Sequence, residues 1–284
     1  MRYLIPAAGV GRRMRGALGG LPKCMIEIAG EPLIVRLLRQ IRSIDPAADV
    51  HVVLGYRREV VIPALGDATV ILNPLFDVTG MDTSLWFARQ TFDQPLMVVH
   101  ADLVLSDPLA SVLLTSELPT SMAYDGSIRN TGDINIAVEA GRVARFDETL
   151  DDFNGVYAGV FKLSQHAALT FARTLDRQIR GGLHDPKAYY FHVVRALVEE
   201  YGIEIGALDI AGNDWQEIDR PDDVVAAKAR FEREGPAVPS ARATFAAPAG
   251  HTDWAMNTNH DPAGESLDRE TANACAAVAR TERA

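Results

Sequence analysis

A glycine-rich loop follows the first apolar segment of the sequence. Arg2–Ala7 predicts a buried strand, and Gly9 and Gly11 come directly after it. Glycine has no Cβ atom, so a base or a phosphate can approach the main-chain N–H groups of such a loop closely. Arg12 or Arg13 would add positive charge, and arginine can bind phosphate oxygens in a bidentate manner. The pattern predicts a phosphate or nucleotide site.

Two other phosphate-binding loops are excluded by their own signatures. The loop lacks the Gly-Lys-Ser/Thr ending of a Walker loop, and Met14 stands where a dinucleotide-binding loop has its third glycine. An ordinary strand–helix turn is the alternative. Arg13, Pro22 and Lys23 together favour the phosphate site, because Lys23 could fold back over the same phosphates as a point charge.

Two aspartates follow strand-like segments in distant parts of the chain. Asp102 comes after Leu96–His100, and Asp219 ends the run that begins at Trp215. Ligands of open α/β sheets bind at the carboxyl ends of strands, and Mg²⁺ prefers a few carboxylates together with phosphate oxygens. Each aspartate has a structural alternative: Asp102 could form a turn, and Asp219 or Asp222 could cap the next helix.

A second group of residues could bind the other substrate. Asn73 follows a predicted strand, and Ser84 lies at the start of a predicted helix, where N–H groups and hydroxyls favour an anion. A plain capped helix is the alternative. Aromatic and acidic side chains favour a cationic ammonium group. The candidates, for which core or rim positions are the alternative, are Asp82, Trp86, Tyr124, Asp125, Asp133, Tyr157 and Trp215.

The elements that must position these residues alternate along the chain. Apolar, β-rich runs predict strands at Arg2–Ala7, Val50–Leu54, Thr69–Leu72, Leu96–His100, Ile134–Glu139, Arg142–Phe146, Val156–Leu163 and Ile203–Leu208. Helical spacing predicts helices at Pro32–Ile44, Arg58–Leu65, Thr83–Thr91, His166–Arg180, Lys187–Tyr201 and Asp222–Glu234. Strand–helix alternation indicates a three-layer, Rossmann-like α/β fold with a mixed, mostly parallel central sheet, and Ala140-Gly141 predicts a hairpin.

Composition limits the classes of protein. The 284 residues are 48% hydrophobic and carry a net charge of −10, which argues against a general nucleic-acid binder. No segment approaches a membrane-spanning length, so we expect no membrane insertion and a cytoplasmic protein. We expect a catalytic domain at residues 1–234. Residues 235–284 predict a flexible tail with one short helix near Arg269–Arg280.

The opening motif resembles the nucleotidyltransferase family, which includes sugar-phosphate and phosphocholine nucleotidyltransferases. The residues are Ala7 through Met14, in the pattern A-A-G-x-G-x-R-M, followed by Pro22 through Ile34. The resemblance implies the fold of these nucleotide-diphosphate transferases. It also implies that the loop, with Ala7, Ala8, Gly9, Gly11 and Arg12, holds the nucleotide, while Arg13 and Lys23 contact the triphosphate. The same resemblance assigns the metal, Mg²⁺, to Asp102 and Asp219, and places Asn73 and Ser84 near the nucleotide and acceptor.

The resemblance implies transfer of an NMP group from an NTP to a small phosphorylated acceptor. We favour CTP with a phosphocholine-like or aminoalkylphosphonate-like acceptor. A sugar-1-phosphate enzyme using UTP or dTTP is the first alternative, and a molybdopterin-type enzyme is the second, because Gly80-Met81-x-x-Ser84-Leu85 is similar to the latter. A GT-A-like glycosyltransferase and a non-catalytic nucleotide sensor are the other classes. A homodimer is left open.

Overall fold

The first strand lies in the middle of a nine-stranded mixed sheet. The computed structural model describes residues 1–14, 19–128, 134–182 and 190–231. The strands are β1 (Arg2–Ala7), β2 (Glu27–Ile28), β3 (Glu31–Pro32), β4 (Asp49–Leu54), β5 (Thr69–Leu72), β6 (Leu96–Val99), β7 (Leu103–Leu105), β8 (Ser121–Asp125), β9 (Asn135–Glu139), β10 (Arg142–Asp147), β11 (Gly155–Leu163), β12 (Gly206–Asp209) and β13 (Trp215–Glu217). The α-helices are α1 (Leu33–Ile44), α2 (Arg58–Val61), α3 (Met81–Phe87), α4 (Asp107–Thr115), α5 (Gln165–Arg180), α6 (Phe191–Glu199) and α7 (Pro221–Phe231).

The main sheet has the strand order β5-β4-β1-β6-β11-β8-β12-β10-β9. Its first four strands run parallel, whereas β11 is antiparallel to both of its neighbours, β6 and β8. The β9–β10 hairpin turns at Ala140 and Gly141, both of which have positive φ, as the predicted two-residue turn requires. The carboxyl ends of four adjacent parallel strands therefore form one edge, where the predicted glycine loop begins.

Helices cover both faces of this sheet, because side chains along β1 alternate between two cores. Tyr3 and Ile5 belong to the core under α1 and α4, whereas Leu4 belongs to the opposite core with α5 and α6. Helix α1 forms because its apolar residues recur on one face, and they are buried against the sheet. The predicted α/β fold with a mixed central sheet is confirmed.

A short antiparallel pair, β7 with β13, joins two distant parts of the chain. Leu103 pairs with Glu217, so the residue before β7 and the residues after β13 come together. The N–H of Ile218 donates to the carbonyl oxygen of Asp102 over 3.0 Å. This pairing brings Asp102 close to Asp219, although 116 residues separate them in the sequence.

Most predicted elements lie where the sequence placed them, and the differences are local. The predicted helix Arg58–Leu65 is α2 followed by a 3₁₀ turn, Ile62–Ala64, since Pro63 cannot continue an α-helix in that place. Sequence reasoning missed α4, β7 and β8. A sequence signal for the start of α4 was present, since serine is a common N-cap residue. In the structure Ser106 caps the helix by accepting a hydrogen bond from the N–H of Leu109.

The predicted tail of residues 235–284, with its helix near Arg269–Arg280, lies outside the described residues, and the catalytic domain predicted for 1–234 is described as far as Phe231. In the described ranges no helix combines the length and the apolar character needed to span a bilayer.

Candidate active site

The glycine loop leaves the carboxyl end of β1 and turns back towards Lys23. Gly11 has φ of 60°, and its carbonyl oxygen accepts a hydrogen bond from the N–H of Met14 over 2.8 Å. The positive φ favours glycine at this turn, and a Cβ atom on Gly11 would lie 3.4 Å from the Cβ atom of Lys23. The structure therefore places Lys23 beside the loop, and its contact with a triphosphate stays a prediction.

Lys23 bridges the two aspartates. Its Nζ atom lies 2.7 Å from Oδ2 of Asp102 and 2.5 Å from Oδ1 of Asp219. Arg13, which is exposed, donates from Nη1 to Oδ2 of Asp219 over 2.8 Å. Two cations from the loop region and two carboxylates from opposite halves of the sequence thus meet in one group, which we call the Lys23 cluster.

The Lys23 cluster favours its charged forms. Burial by itself would lower the pKa of Lys23, but the nearby Asp102 and Asp219 outweigh it and raise that pKa. Burial would raise the pKa of Asp219, but Lys23 and Arg13 outweigh it and lower that pKa. Near neutral pH, Lys23 and Asp219 are therefore both charged.

The surrounding oxygen atoms fit a divalent cation. Oδ2 of Asp102 faces Lys23, whereas Oδ1 is buried and has no hydrogen-bond partner among the described residues. One ligand atom each from His100, Asp102 and Glu217 lies within 4.8 Å of the other two. Carboxylate oxygens are the ligands that Mg²⁺ prefers, and Asp102 and Glu217 supply them here. Asp219, the other predicted metal residue, lies outside this three-residue group, and its oxygens face Lys23 and Arg13. Sequence reasoning missed Glu217, although it stands two residues before Asp219 and strand periodicity puts such residues on one face.

The capping alternative for Asp219 and Asp222 is resolved by a neighbouring carboxylate. Oδ2 of Asp223 accepts hydrogen bonds from the N–H groups of Asp219 and Arg220, at 2.8 and 2.6 Å. Asp223 therefore organises the chain at the start of α7. The carboxylate of Asp219 faces the Lys23 cluster instead.

A polar cavity of about 550 Å³ opens beside the Lys23 cluster. Arg13, Asp219, Tyr157 and Trp215 line it, together with Asp125. Asp125 Oδ2 accepts a hydrogen bond from the indole Nε1 of Trp215 over 2.7 Å, and Oδ1 accepts one from Ser127. Burial would raise the pKa of Asp125, but these hydrogen bonds outweigh it and lower that pKa. The cavity thus holds aromatic faces beside an ionised carboxylate.

Other residues predicted for the acceptor lie elsewhere. Trp86 donates from Nε1 to Asp176 of α5 over 2.8 Å, and Asp82 is fully buried, so the structure does not place either of them on the cavity wall. Tyr124 packs into the core shared with α5, on the sheet face opposite to that of its neighbour Asp125. Asp133 lies outside the described residues.

The structure brings Asn73 and Ser84 together. Nδ2 of Asn73 donates to Oγ of Ser84 over 3.0 Å, and Oδ1 of Asn73 accepts from the N–H of Leu75. Both side chains are buried and hold the loop after β5 against α3. Arg12 reaches the same loop, because its Nη2 donates to the carbonyl oxygen of Asp77 over 2.6 Å. Nucleotide contacts for these three residues stay a prediction, as they do for Ala7, Ala8, Gly9 and Gly11.

Comparison with known proteins agrees with this site. Residues 3–130 match the family described as the MobA-like NTP transferase domain. The chain is 29% identical over 225 residues to a bifunctional IPC transferase and DIPP synthase of Rubrobacter xylanophilus, covering 77% of this chain and 49% of that protein. It is 24% identical over 251 residues to a CMP-5'-(3-aminopropyl)phosphonate synthase of Streptomyces rubellomurinus, covering 81% and 39%. The chain thus spans half or less of the length of these two relatives.

Solved structures share the fold. The CTP:phosphocholine cytidylyltransferase of Streptococcus pneumoniae superposes with a TM-score of 0.68 at 18% identity, covering 80% of this chain and 97% of that one. At this identity the likeness establishes the fold alone. The predicted resemblance to the nucleotidyltransferase family is confirmed, because residues 3–130 match the MobA-like NTP transferase domain and the fold is that of known nucleotidyltransferases.

Proposed function

We propose that the protein transfers a nucleotidyl group from an NTP to a small phosphorylated or phosphonate acceptor and releases pyrophosphate. The observation that carries the proposal is the Lys23 cluster: two cations of the glycine loop meet Asp102 and Asp219 next to an open polar cavity. A nucleotide sensor would need the glycine loop, but it would not need two carboxylates beside an open polar cavity. A GT-A-like glycosyltransferase would carry a D-x-D metal motif where this chain has His100-Ala101-Asp102.

The reaction needs charge neutralisation more than proton transfer. An oxygen of the acceptor phosphate, already anionic at neutral pH, forms a bond to the α-phosphorus of the NTP. The bond from that phosphorus to the oxygen bridging the β-phosphorus breaks, and its electrons leave with pyrophosphate. No general base is required, so positioning and electrostatic stabilisation supply the catalysis.

Residues of the chain divide this work. Lys23 and Arg13 lie at the loop, where they neutralise the β- and γ-phosphates as pyrophosphate departs. Asp102 and Glu217, with Asp219 beside them on Lys23, would hold Mg²⁺, and the ion would supply Lewis-acid neutralisation of phosphate charge. Gly11 keeps the loop in the turn that exposes its N–H groups.

The proposal of CTP is supported by two proteins that resemble this chain and are named for cytidine nucleotides. The Streptomyces relative is named for a CMP-phosphonate product, and the Streptococcus enzyme is named for CTP and phosphocholine. The acceptors in these two names each carry a phosphorus oxyanion and a cationic nitrogen. The cavity beside the Lys23 cluster offers the matching groups, because Trp215 and Tyr157 lie beside the ionised Asp125. We therefore favour an acceptor of the phosphocholine or aminoalkylphosphonate class.

Pyrophosphate release with each NTP against a panel of acceptors tests the proposal. We expect release with CTP and phosphocholine or an aminoalkylphosphonate, and only when Mg²⁺ is present. Release only with UTP or dTTP and a sugar-1-phosphate would reject the proposed substrates while keeping nucleotidyl transfer. No release with any pair would reject the transfer itself. Asp102→Ala should be inactive, and Asp107→Ala, a carboxylate at the start of α4, is the matched control.

Two tryptophans with the same hydrogen bond test the acceptor site. Trp215 and Trp86 each donate to an aspartate, at 2.7 and 2.8 Å, but only Trp215 lines the cavity. We expect Trp215→Phe to raise the KM for the acceptor about tenfold, with little change in the KM for CTP, since loss of a charge-assisted hydrogen bond costs about 1.5–3 kcal/mol. Trp86→Phe should leave both KM values unchanged. Equal effects of the two substitutions would reject this acceptor site.

A further inference from the structure

His100 is a buried imidazole at the proposed metal carboxylates, and the proposed transfer assigns it no role. It is 2% exposed and lies two residues before Asp102, in the turn between β6 and β7. A ring nitrogen of His100 and one carboxylate oxygen each from Asp102 and Glu217 all lie within 4.8 Å of one another. Two ligand atoms on opposite sides of a metal ion are separated by at most about 4.4 Å, since each bond is about 2.0–2.2 Å long. Small rotations of these side chains would therefore complete a site.

The His100 ring is held in place from several directions. Its Nε2 atom lies 3.2 Å from the hydroxyl oxygen of Tyr190, which in turn lies 2.9 Å from the hydroxyl oxygen of Tyr157. The ring meets the Tyr157 ring edge-on, with centroids 5.5 Å apart. A histidine that binds a metal through one nitrogen is commonly oriented by a hydrogen bond at the other, and Tyr190 supplies such a partner.

The backbone around His100 is built for this close approach. The N–H of His100 donates to the carbonyl oxygen of Gly159 over 2.9 Å, at an irregularity in β11. Gly159 has φ of 69°, and a Cβ atom there would lie 2.9 Å from Leu103 and 3.2 Å from the Cβ atom of His100. Glycine at position 159 is thus what allows the imidazole to sit between β11 and the metal carboxylates.

The charge of the surroundings favours a cation. Asp102, Asp219 and Glu217 carry three negative charges, and Lys23 and Arg13 supply two positive ones, so the group keeps a net negative charge. Lys23 occupies Oδ2 of Asp102, whereas Oδ1 is the buried oxygen without a hydrogen bond. A divalent cation at Oδ1 would satisfy that atom.

We propose that His100 is a direct metal ligand of this chain, which makes the site a mixed nitrogen–oxygen site. Imidazole suits transition metals, whereas Mg²⁺ prefers oxygen ligands only. The site should therefore bind Mn²⁺ and Co²⁺ more tightly than Mg²⁺. The inference rests on the proposed site insofar as Asp102 and Glu217 hold the cation. It does not depend on the identity of the nucleotide or the acceptor.

Electron spin-echo spectroscopy of Mn²⁺ bound to the full-length protein tests the ligand directly. We expect ¹⁴N modulation of the Mn²⁺ signal that is replaced by a ¹⁵N signal when only the histidines are labelled with ¹⁵N. His100→Asn should remove the histidine coupling and should weaken Co²⁺ binding about tenfold or more in calorimetry, with a smaller change for Mg²⁺. His51→Asn, in β4 beside Asp49, is the control and should change none of these readings.

The outcomes separate this inference from the proposed function. If Mn²⁺, added with or without CTP, shows no histidine coupling in the wild-type protein, His100 is not a ligand, and pyrophosphate release can still occur through an oxygen-only site. If the coupling is present and no NTP yields pyrophosphate, the ligand assignment stands and the transfer is rejected. His100→Gln is measured beside His100→Asn, so that a loss of folding in one variant does not decide the result.

Discussion

Two groups in this protein share one arrangement, a cation that bridges two carboxylates from separate elements. In the Lys23 cluster, Nζ of Lys23 lies 2.7 and 2.5 Å from Asp102 and Asp219. On the outer side of α1, Arg39 bridges Glu31 and Asp107, with the shortest distance to each at 3.2 Å. The Lys23 side chain is 16% exposed and that of Arg39 is 31% exposed.

The difference between the two groups lies in what surrounds them. Asp107 is also hydrogen-bonded by Gln40 over 2.8 Å, so the Arg39 group joins α1 to the start of α4 and its members have partners. The Lys23 cluster lies against a glycine loop and an open cavity, and one of its carboxylate oxygens has no hydrogen bond in the described part of the chain. The ion pairs of the Arg39 group therefore hold α1 against α4, whereas those of the Lys23 cluster leave a carboxylate oxygen that could bind a ligand.

The largest expected effect separates the two cations in activity. Lys23→Ala should lower the kcat for pyrophosphate release by about 10²–10³-fold, as for loss of a group that stabilises developing charge. Arg39→Ala should stay within about twofold of the wild type, as surface changes away from a site do. Steady-state kinetics of both variants measures this, and equal losses would remove the distinction between the two groups.

Stabilisation of the folded protein by a metal ion should depend on the Lys23 cluster and should not depend on the Arg39 group. A ligand that binds only the folded state at about 100 times its Kd adds about 2.7 kcal/mol to the free energy of unfolding. We therefore expect Mn²⁺ to raise the Tm of the wild-type protein, to have no such effect on Asp102→Asn, and to protect Asp107→Asn as well as the wild type. Protection of Asp102→Asn in a thermal melt would place the metal elsewhere.

Acid pH should weaken both groups in the same direction. The pKa of Asp219 is lowered because Lys23 and Arg13 outweigh its burial, and the pKa of Asp107 is lowered because Gln40 and Arg39 outweigh its burial. A lowered pKa in the folded state stabilises the protein above the ordinary value of 3.8, and this stabilisation is lost as the pH falls through the lowered pKa.

Asp219→Asn and Asp107→Asn should each flatten the decline in unfolding free energy between about pH 5 and about pH 3. Urea unfolding at several pH values measures the slope. A slope as steep as that of the wild type in Asp219→Asn would show that Lys23 and Arg13 do not stabilise the ionised carboxylate.

The smallest expected effect concerns the Arg39 group. Arg39 is partly exposed, so Arg39→Ala should cost less than about 1 kcal/mol of unfolding free energy, and salt should reduce even that. Urea unfolding at low and high salt gives both numbers. A loss of several kcal/mol would mean that the Arg39 group is a tightly coupled structural network, unlike an ordinary surface ion pair.

The sequence predicted best the part of the site whose residues lie close together along the chain. The strand, the glycine turn and Lys23 lie within 23 residues, and the structure places Lys23 next to Gly11. The sequence did not predict Glu217 as a site residue, because Glu217 lies close to Asp102 only when β13 pairs with β7. His100 escaped for a similar reason, since its neighbours Tyr157 and Tyr190 come from β11 and from the start of α6.

The aromatic residues mark the limit of sequence reasoning. The sequence predicted both Trp86 and Trp215 as acceptor-binding residues and gave no reason to prefer either. In the structure the indole of each donates a hydrogen bond to an aspartate. Only the tertiary structure places Trp215 on the cavity and Trp86 against α5. Tyr124 and Asp125 are adjacent in sequence, yet they face opposite sides of the sheet because strand side chains alternate.

The sequence by itself determined the α/β alternation, the glycine loop with its cations and the resemblance of residues 3–130 to the NTP transferase domain. These depend on periodicity and on backbone needs that neighbouring residues meet. The tertiary structure decided which carboxylates gather around Lys23, which aromatic residue reaches the cavity, and that an imidazole lies beside the metal oxygens. Most of those relations join residues that are far apart in the sequence, such as Lys23 with Asp102 and Asp219. Strand pairing sets them, because no local pattern encodes which distant strand will be the neighbour.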